Sequence, residues 1–236
     1  MKTSTQRARS ALYLSSALVA GATALTCAAP ALADPITGQV GIASQYIGKG
    51  LGKSDEEPAV FGSVRWSTNG FYVSAFESEA TSSKGANAEV IATAGYATDI
   101  QDWGIDVQVM HRQMIGETNG VDSGYVEFQG DISRDLTDHI SARMRVNYSA
   151  DTYGSGEAAW WTEAQASLKL TSTDKLSIAY GIRRVDNGSD YNAWNIGVKH
   201  KFSPAIAGDL RWYDTDEHDL GSRYEGRLVA SISYSF

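Results

Sequence analysis

The sequence predicts an all-β chain closed into an antiparallel transmembrane barrel of about twelve strands, with short periplasmic turns and longer extracellular loops. Three observations predict it. The last fourteen residues set Tyr224, Gly226, Leu228, Ala230, Ile232, Tyr234 and Phe236 at alternate positions against Arg223, Glu225, Arg227, Val229, Ser231, Ser233 and Ser235. Successive strand side chains point to opposite faces, so this stretch is a strand with one apolar and one mostly polar face, ending on an aromatic ring. After residue 33 no apolar run reaches the roughly 18 residues that a spanning helix needs, so a spanning structure has to be a closed barrel with every backbone group paired. The same alternation recurs along the chain, and brief connections alternate with longer polar ones.

The chain opens with Lys2, Arg7 and Arg9, then runs through small and apolar residues from Ala11 to Ala33, ending Ala31-Leu32-Ala33 before Asp34-Pro35. This is a secretory signal peptide over 1–33, with the barrel over 34–236. A spanning helix is the competing reading, but the Ala, Ser, Thr and Gly content and Pro30 favour cleavage. The single cysteine, Cys27, falls inside the leader, so the mature chain is expected to carry no disulfide, thiolate metal ligand or lipid anchor. The formal charge of -8 becomes -11 once the three leader cations are removed, which argues against nucleic acid as a partner.

The first strand spans 37–48, with Val40, Ile42 and Tyr46 on one face. The second, 58–68, carries Val64 and Trp66 against Ser63 and Arg65. Asn69-Gly70 then gives a strong hairpin signal, since both central residues of that turn need positive φ; it pairs Thr68 with Phe71 and Trp66 with Val73. The third strand runs to about Glu79, and the fourth sets Val90, Ala92, Ala94 and Tyr96 against Glu89. The fifth sets Trp103, Ile105, Val107 and Val109 against Asp106, Gln108 and Arg112, and the sixth Val126, Phe128 and Ile132 against Glu127, Gln129 and Asp131. Ile140, Met144, Val146 and Tyr148 against Arg143, Arg145 and Asn147 in the seventh alternate too regularly for a helical period. The eighth repeats this with Trp160, Ala164 and Leu168 against Glu163 and Lys169. The ninth, about 175–184, brings Arg183. The tenth sets Trp194, Ile196, Val198 and Phe202 against Lys199 and Lys201, and the eleventh sets Leu210 and Trp212 against Asp209 and Arg211. The strand ending at Phe236 makes twelve, and the even count puts both termini on the short-turn rim.

Two properties follow from parity. Outward rings fall into two belts: Trp66, Phe71, Tyr96, Trp103, Phe202 and Phe236 at the short-turn ends, and Tyr46, Tyr148, Trp160, Trp194, Trp212 and Tyr224 at the long-loop ends. Such belts suit the two interfaces of a membrane, whereas a soluble sandwich has no need of them. Inward positions carry Arg65, Arg112, Arg143, Arg145, Lys169, Arg183, Lys199, Lys201, Arg211, Arg223 and Arg227 among Glu89, Asp106, Glu127, Asp131, Glu163, Asp209 and Glu225, which gives a cationic balance. These charges need water or partners, so the lumen is either a narrow wet pore or is filled by a ladder of paired charges. The six outer loops, by contrast, hold three basic and fifteen acidic residues and read as solvated segments beside lipopolysaccharide.

Ser44-Gln45-Tyr46-Ile47-Gly48-Lys49-Gly50-Leu51-Gly52-Lys53-Ser54-Asp55-Glu56-Glu57-Pro58-Ala59-Val60-Phe61-Gly62 resembles the signature of the TorF-like putative porin family. Ser44, Tyr46, Gly50, Ser54, Asp55, Pro58, Ala59, Val60 and Gly62 match it, while Lys49 stands where the family has Arg and Gly52 where it has Ser. Gly70-Phe71-Tyr72, Glu89 with Gly95-Tyr96, and Tyr125 with Glu127 are similar to later landmarks. The resemblance implies an outer-membrane barrel acting as a porin.

The expected function is passive diffusion of small polar solutes or ions through the outer membrane, with weak anion preference. The partners are outer-membrane lipid, lipopolysaccharide, the solutes, and the barrel-assembly machinery, which would meet the C-terminal strand. No cofactor or metal is expected. A lipid-modifying hydrolase is the alternative, as is a non-conducting structural or surface-interaction barrel. Of the four histidines, His111 faces outward with no nucleophile at parity-matched neighbours, His200 lies near the periplasmic rim, and His139 and His218 sit in connections, so no catalytic set is read.

Overall fold

The computed structural model describes residues 36–82, 84–118 and 122–236. The predicted signal peptide lies outside them. The strands are β1 (Ile36–Ala43), β2 (Ile47–Gly48), β3 (Leu51–Gly52), β4 (Ala59–Thr68), β5 (Phe71–Glu79), β6 (Ala88–Ile100), β7 (Trp103–Ile115), β8 (Tyr125–Asp135), β9 (Ile140–Ser149), β10 (Ala159–Lys169), β11 (Asp174–Val185), β12 (Tyr191–Lys201), β13 (Ile206–Thr215) and β14 (Arg227–Ser235). Twelve of them form one closed antiparallel barrel in sequence order, while β2 and β3 form a separate two-stranded hairpin. The barrel is shut by β1, which pairs with β4 on one side and with β14 on the other, Ile42 opposite Ile232.

The predicted Asn69-Gly70 turn is present, with both residues at positive φ and with Thr68 opposite Phe71 and Trp66 opposite Val73. Parity holds around the wall. Val107, Val109, Phe128, Met144, Ile178, Ile196 and Leu210 are exposed on the outside, whereas Glu89, Asp106, Glu127, Asp131 and Asn147 are buried inside. An apolar band exposed on a closed barrel, over a charged interior, is what a bilayer solvates and water does not. The outward belts keep ten of their twelve predicted members, with Phe71 against Tyr96 at 4.7 Å and Tyr148 against Trp160 at 4.5 Å between ring centroids.

Phe236 completes the seam. Its N–H donates to the Gly38 carbonyl at 2.9 Å and its own carbonyl accepts from Gly38 N–H at 2.8 Å. The ring covers Gly38, where a Cβ would stand 2.5 Å from the ring and 2.6 Å from the Ser63 carbonyl. The aromatic terminus thus fills the gap that glycine leaves in the adjoining strand.

Two strand boundaries differ from expectation by four residues or more, both at the outer rim. The first strand stops at Ala43 instead of running to Gly48, and the last begins at Arg227 instead of Arg223. In each case the chain leaves the wall and turns inward, although the alternation in sequence continues beyond the turn.

Candidate functional site

The segment after Ala43 folds into the barrel. Its β2–β3 hairpin turns through Lys49-Gly50, at φ 53° and 86°, the pair of positive values that a two-residue hairpin turn requires. The tip crosses the outer mouth, so that Lys49 reaches Glu127 on β8 while Gly50 meets β12. Gly50 lies against the Ala193 methyl, in space a Cβ would take, and Tyr191 donates its hydroxyl to the Lys49 carbonyl at 2.9 Å.

Two buried carboxylates receive this plug. Glu89, 0% exposed, accepts from Lys53 Nζ at 2.8 and 2.7 Å on its two oxygens, from the Tyr46 hydroxyl at 2.7 Å and from Arg112 Nη1 at 3.0 Å. Glu127, 1% exposed, pairs with the Lys49 ammonium and accepts from Asn147 Nδ2 at 3.0 Å, with Arg112 Nε 3.3 Å away. Arg112 therefore stands between both acids, and Lys49 and Lys53 complete a set of three cations on two anions. Burial pushes the Lys49 ammonium down to about 7 despite Glu127, whereas at Lys53 the attraction of Glu89 outweighs burial and raises it.

Beside this polar set lies a dry seat. Phe76, Ile91 and Met110 point into the lumen and are buried together, with Tyr46 and Phe61 packed on them and the Tyr46 and Phe76 rings 5.8 Å apart. Apolar side chains inside a wet lumen would be costly, and covering them with the plug removes that cost. The other outer loops hold the plug in place. Thr81 N–H donates to the Lys53 carbonyl at 2.6 Å, and Arg223 Nη2 donates to the Thr81 carbonyl at 3.0 Å. Leu51 and Tyr224 pack on Trp161, Tyr191 and Ala193.

Below the plug, toward the periplasm, the arrangement changes. Arg143 meets Glu163 at 2.5 Å, Arg145 meets Asp131 at 2.7 Å, and Arg211 meets Asp209 at 3.1 Å. Arg65 stacks 3.5 Å over the Tyr72 ring, whose hydroxyl donates to Asp106 at 2.6 Å. Each of these contacts joins residues on one strand or on strands no more than two apart, so the pairs run around the wall and not across the bore.

The sequence matches one family over residues 27–232, described as "Bacterial protein of unknown function (Gcw_chp)". The chain belongs to the Gcw_chp family. The match does not carry the TorF-like name that the Ser44–Gly62 motif suggested. No curated protein matches the sequence. Among solved structures the fold is similar to "KdgM porin" at 12% identity and TM-score 0.58, covering 85% of this chain and 99% of that one. It is also similar to "NanC porin structure in rhombohedral crystal form" at 13% identity and TM-score 0.59, covering 85% and 98%. A third, "KdgM porin in complex with disordered oligogalacturonate", stands at 12% and TM-score 0.60, covering 85% and 99%.

In this Gcw_chp barrel the predicted lining residues fall into three groups. Glu89, Arg112 and Glu127 meet the plug, and Arg183, also near the outer end, donates to Thr152 at 3.2 Å. Arg65, Asp106, Asp131, Arg143, Arg145, Glu163 and Arg211 line the bore below, and Lys169, Lys199 and Lys201 lie at its periplasmic end. Glu225 and Arg223 need correction. Glu225 is exposed in the last outer connection, Arg223 belongs to a short turn (Ser222–Tyr224), and Arg227, the first residue of β14, donates from Nε to the Glu225 carbonyl at 2.9 Å and also to the Ser222 carbonyl. Glu225 and Arg223 serve the outer cap, because the chain there has left the wall, whereas Arg227 keeps its inward position opposite Tyr213 and lies against Gly52 of the plug.

Tyr46 and Tyr224 are likewise not interface aromatics. Tyr46 lies inside on Glu89 and Phe76, and Tyr224 packs edge-on against Tyr191 at 5.3 Å. Lys49, Lys53, Phe76 and Lys175 were missed as lumenal residues. The glycine spacing Gly48, Gly50, Gly52 was the available signal for the hairpin. A depression of about 810 Å³ lies on the membrane face among Trp66, Phe71, Tyr96, Phe128 and Tyr148, away from this chemistry. A smaller cavity of about 210 Å³ opens beside Lys53, Lys84 and Arg223 at the outer mouth.

Proposed function

We propose that this barrel is an outer-membrane channel for passive diffusion of small polar solutes, constricted at its outer end by the 44–58 segment. The observation that supports conduction is the direction of the lower ion pairs. Bonds between neighbouring strands leave the axis unbridged, whereas a ladder that filled the lumen would tie opposite walls together. The apolar belt, the exported character of the sequence and the likeness to porin folds support the outer membrane as its location, with lipid and lipopolysaccharide around it and Phe236 engaging the assembly machinery. The excess of lumenal cations over carboxylates supports a weak anion preference. Swelling of proteoliposomes in sugars of graded size tests the reading: a rate that falls with solute size supports a pore, and no swelling by folded protein removes it.

The plug itself favours a second reading, a barrel that conducts only after the hairpin leaves. Enzymatic activity is the weakest reading. His200 Nδ1 bonds Asp174 at 2.7 Å, but Asp174 is further occupied by Thr171 and Thr173, and among the described contacts no hydroxyl reaches the imidazole.

A further inference from the structure

The periplasmic end of the lumen carries an arrangement that the channel reading leaves unexplained. Lys169 on β10 is the cross-strand partner of Lys175 on β11, and Lys175 is the partner of Lys199 on β12. All three sit at inward positions, since their neighbours Leu168, Leu176 and Val198 take the membrane face. Three ammonium groups thus stand side by side at one height of the wall, spanning roughly 10 Å at the usual strand spacing. Like charges directly opposite each other destabilise a sheet.

Two carboxylates stand near this end of the lumen without relieving them: Asp135 on β8, paired with Ser141, attracts Lys175 but makes no ion pair with it, and Asp209 is already engaged. Asp209 ends the row opposite Lys199, but both its oxygens are taken by Arg211, at 3.1 Å from Nε and 3.1 Å from Nη2. Among the described residues none of the three lysines has a carboxylate within ion-pair distance, whereas Arg143, Arg145 and Arg211 each have one. Two residues further in runs a row of hydroxyls, Ser141 on β9, Ser167 on β10 and Ser177 on β11, in direct register. Ser177 Oγ accepts from Arg211 Nη2 at 2.9 Å, which leaves its own proton free to donate. Cations in one row and hydroxyl donors in the next form the lining that a multivalent anion needs.

We propose that this wall is a binding station for a small multivalent anion, a polycarboxylate in the first instance, held by Lys175 and Lys199 with Lys169 at the rim and the serines above. The ligand is a solute in the lumen and not a lipid headgroup, because the lysines face away from the membrane. The proposal deepens the channel reading by naming a solute class, and it rests on that reading only for the solute's route.

The test is thermal unfolding of the purified protein in maltoside micelles, with citrate compared against sodium chloride at equal ionic strength. Citrate raises the midpoint of the native protein above the chloride control, by binding the folded state alone. Lys175→Gln with Lys199→Gln loses at least tenfold in apparent citrate affinity. Without citrate that variant is at least as stable as the native protein, because repulsion has been relieved, and this shows that it is folded. Equal midpoints in citrate and chloride, or an unchanged citrate response in the variant, overturn the proposal. A silent bilayer with the citrate response intact removes the channel reading alone, and a conducting pore without that response removes only the binding station.

Discussion

Replacing Glu89 by Gln separates the plug from its seat without changing shape. The carboxylate is fully buried and holds Lys53 on both oxygens, the Tyr46 hydroxyl and Arg112. The amide offers one acceptor and no charge. Breaking a buried ion pair by removing one partner costs about 3–5 kcal/mol, and the low end applies here because Arg112 keeps Glu127. Lys53 can recover its hydration only if the hairpin leaves the lumen, so nearly all of this cost falls on the docked state. About 3 kcal/mol shifts the docked-to-free ratio by more than a hundredfold. Trypsin cleavage after Lys49 and Lys53 in intact proteoliposomes, followed by mass spectrometry, reads that ratio, and conductance of the same sample should rise. Cleavage and conductance equal to those of the native protein, in a variant with unchanged heat-modifiable migration, would refute the assignment of Glu89 as the anchor.

Lys49 predicts a pH dependence opposite to that of an exposed ion pair. Docking lowers its ammonium to about 7, and release returns it to 10.5, so between those values the free hairpin binds a proton that the docked one does not. Docking therefore strengthens as pH rises through this window, by at most about 1.4 kcal/mol per unit. Lys53, raised from 10.5, contributes stability that is lost only above that value and stays constant in the same window. Paramagnetic relaxation of the 47–52 amides by a soluble agent should fall from pH 6.5 to pH 9, and a rise contradicts the burial of Lys49. Gly38→Ala forces its methyl against the Phe236 ring and the Ser63 carbonyl, so the barrel should lose about 1–3 kcal/mol, seen as a lower temperature for heat-modified migration. Arg143→Ala with Arg145→Ala leaves Glu163 and Asp131 without their cations, so the reversal potential in a salt gradient should move toward cation preference.

The wall was legible because membrane and lumen impose opposite demands on adjacent residues. Met144 and Val146 against Arg143 and Arg145 satisfy only a strand with lipid on one side and polar groups on the other. Parity could not tell where the chain leaves the wall. Tyr46 and Tyr224 continue the outward alternation of their strands in sequence, yet each lies beyond the last paired residue, where nothing ties parity to a face. Phe76 and Ile91 are buried inside the barrel, and only the folded hairpin shows why apolar groups stand in the lumen. The TorF-like motif marked the plug as a distinct segment but said nothing of where it folds, because Glu89 and Glu127 reach it from strands distant in sequence. The lysine row was invisible for a related reason: it is a property of register between three strands, and neither Lys175 nor Lys199 is unusual in its own strand.

A bore constricted by a docked plug is tested most directly by single-channel conductance of the refolded protein in a planar bilayer. It predicts small discrete steps in the native protein, with a reversal potential on the anion side, and larger steps when residues 46–53 are replaced by a short Gly/Ser turn. A bilayer that stays silent with correctly folded protein, and stays silent after that replacement, would contradict the existence of a bore beneath the plug.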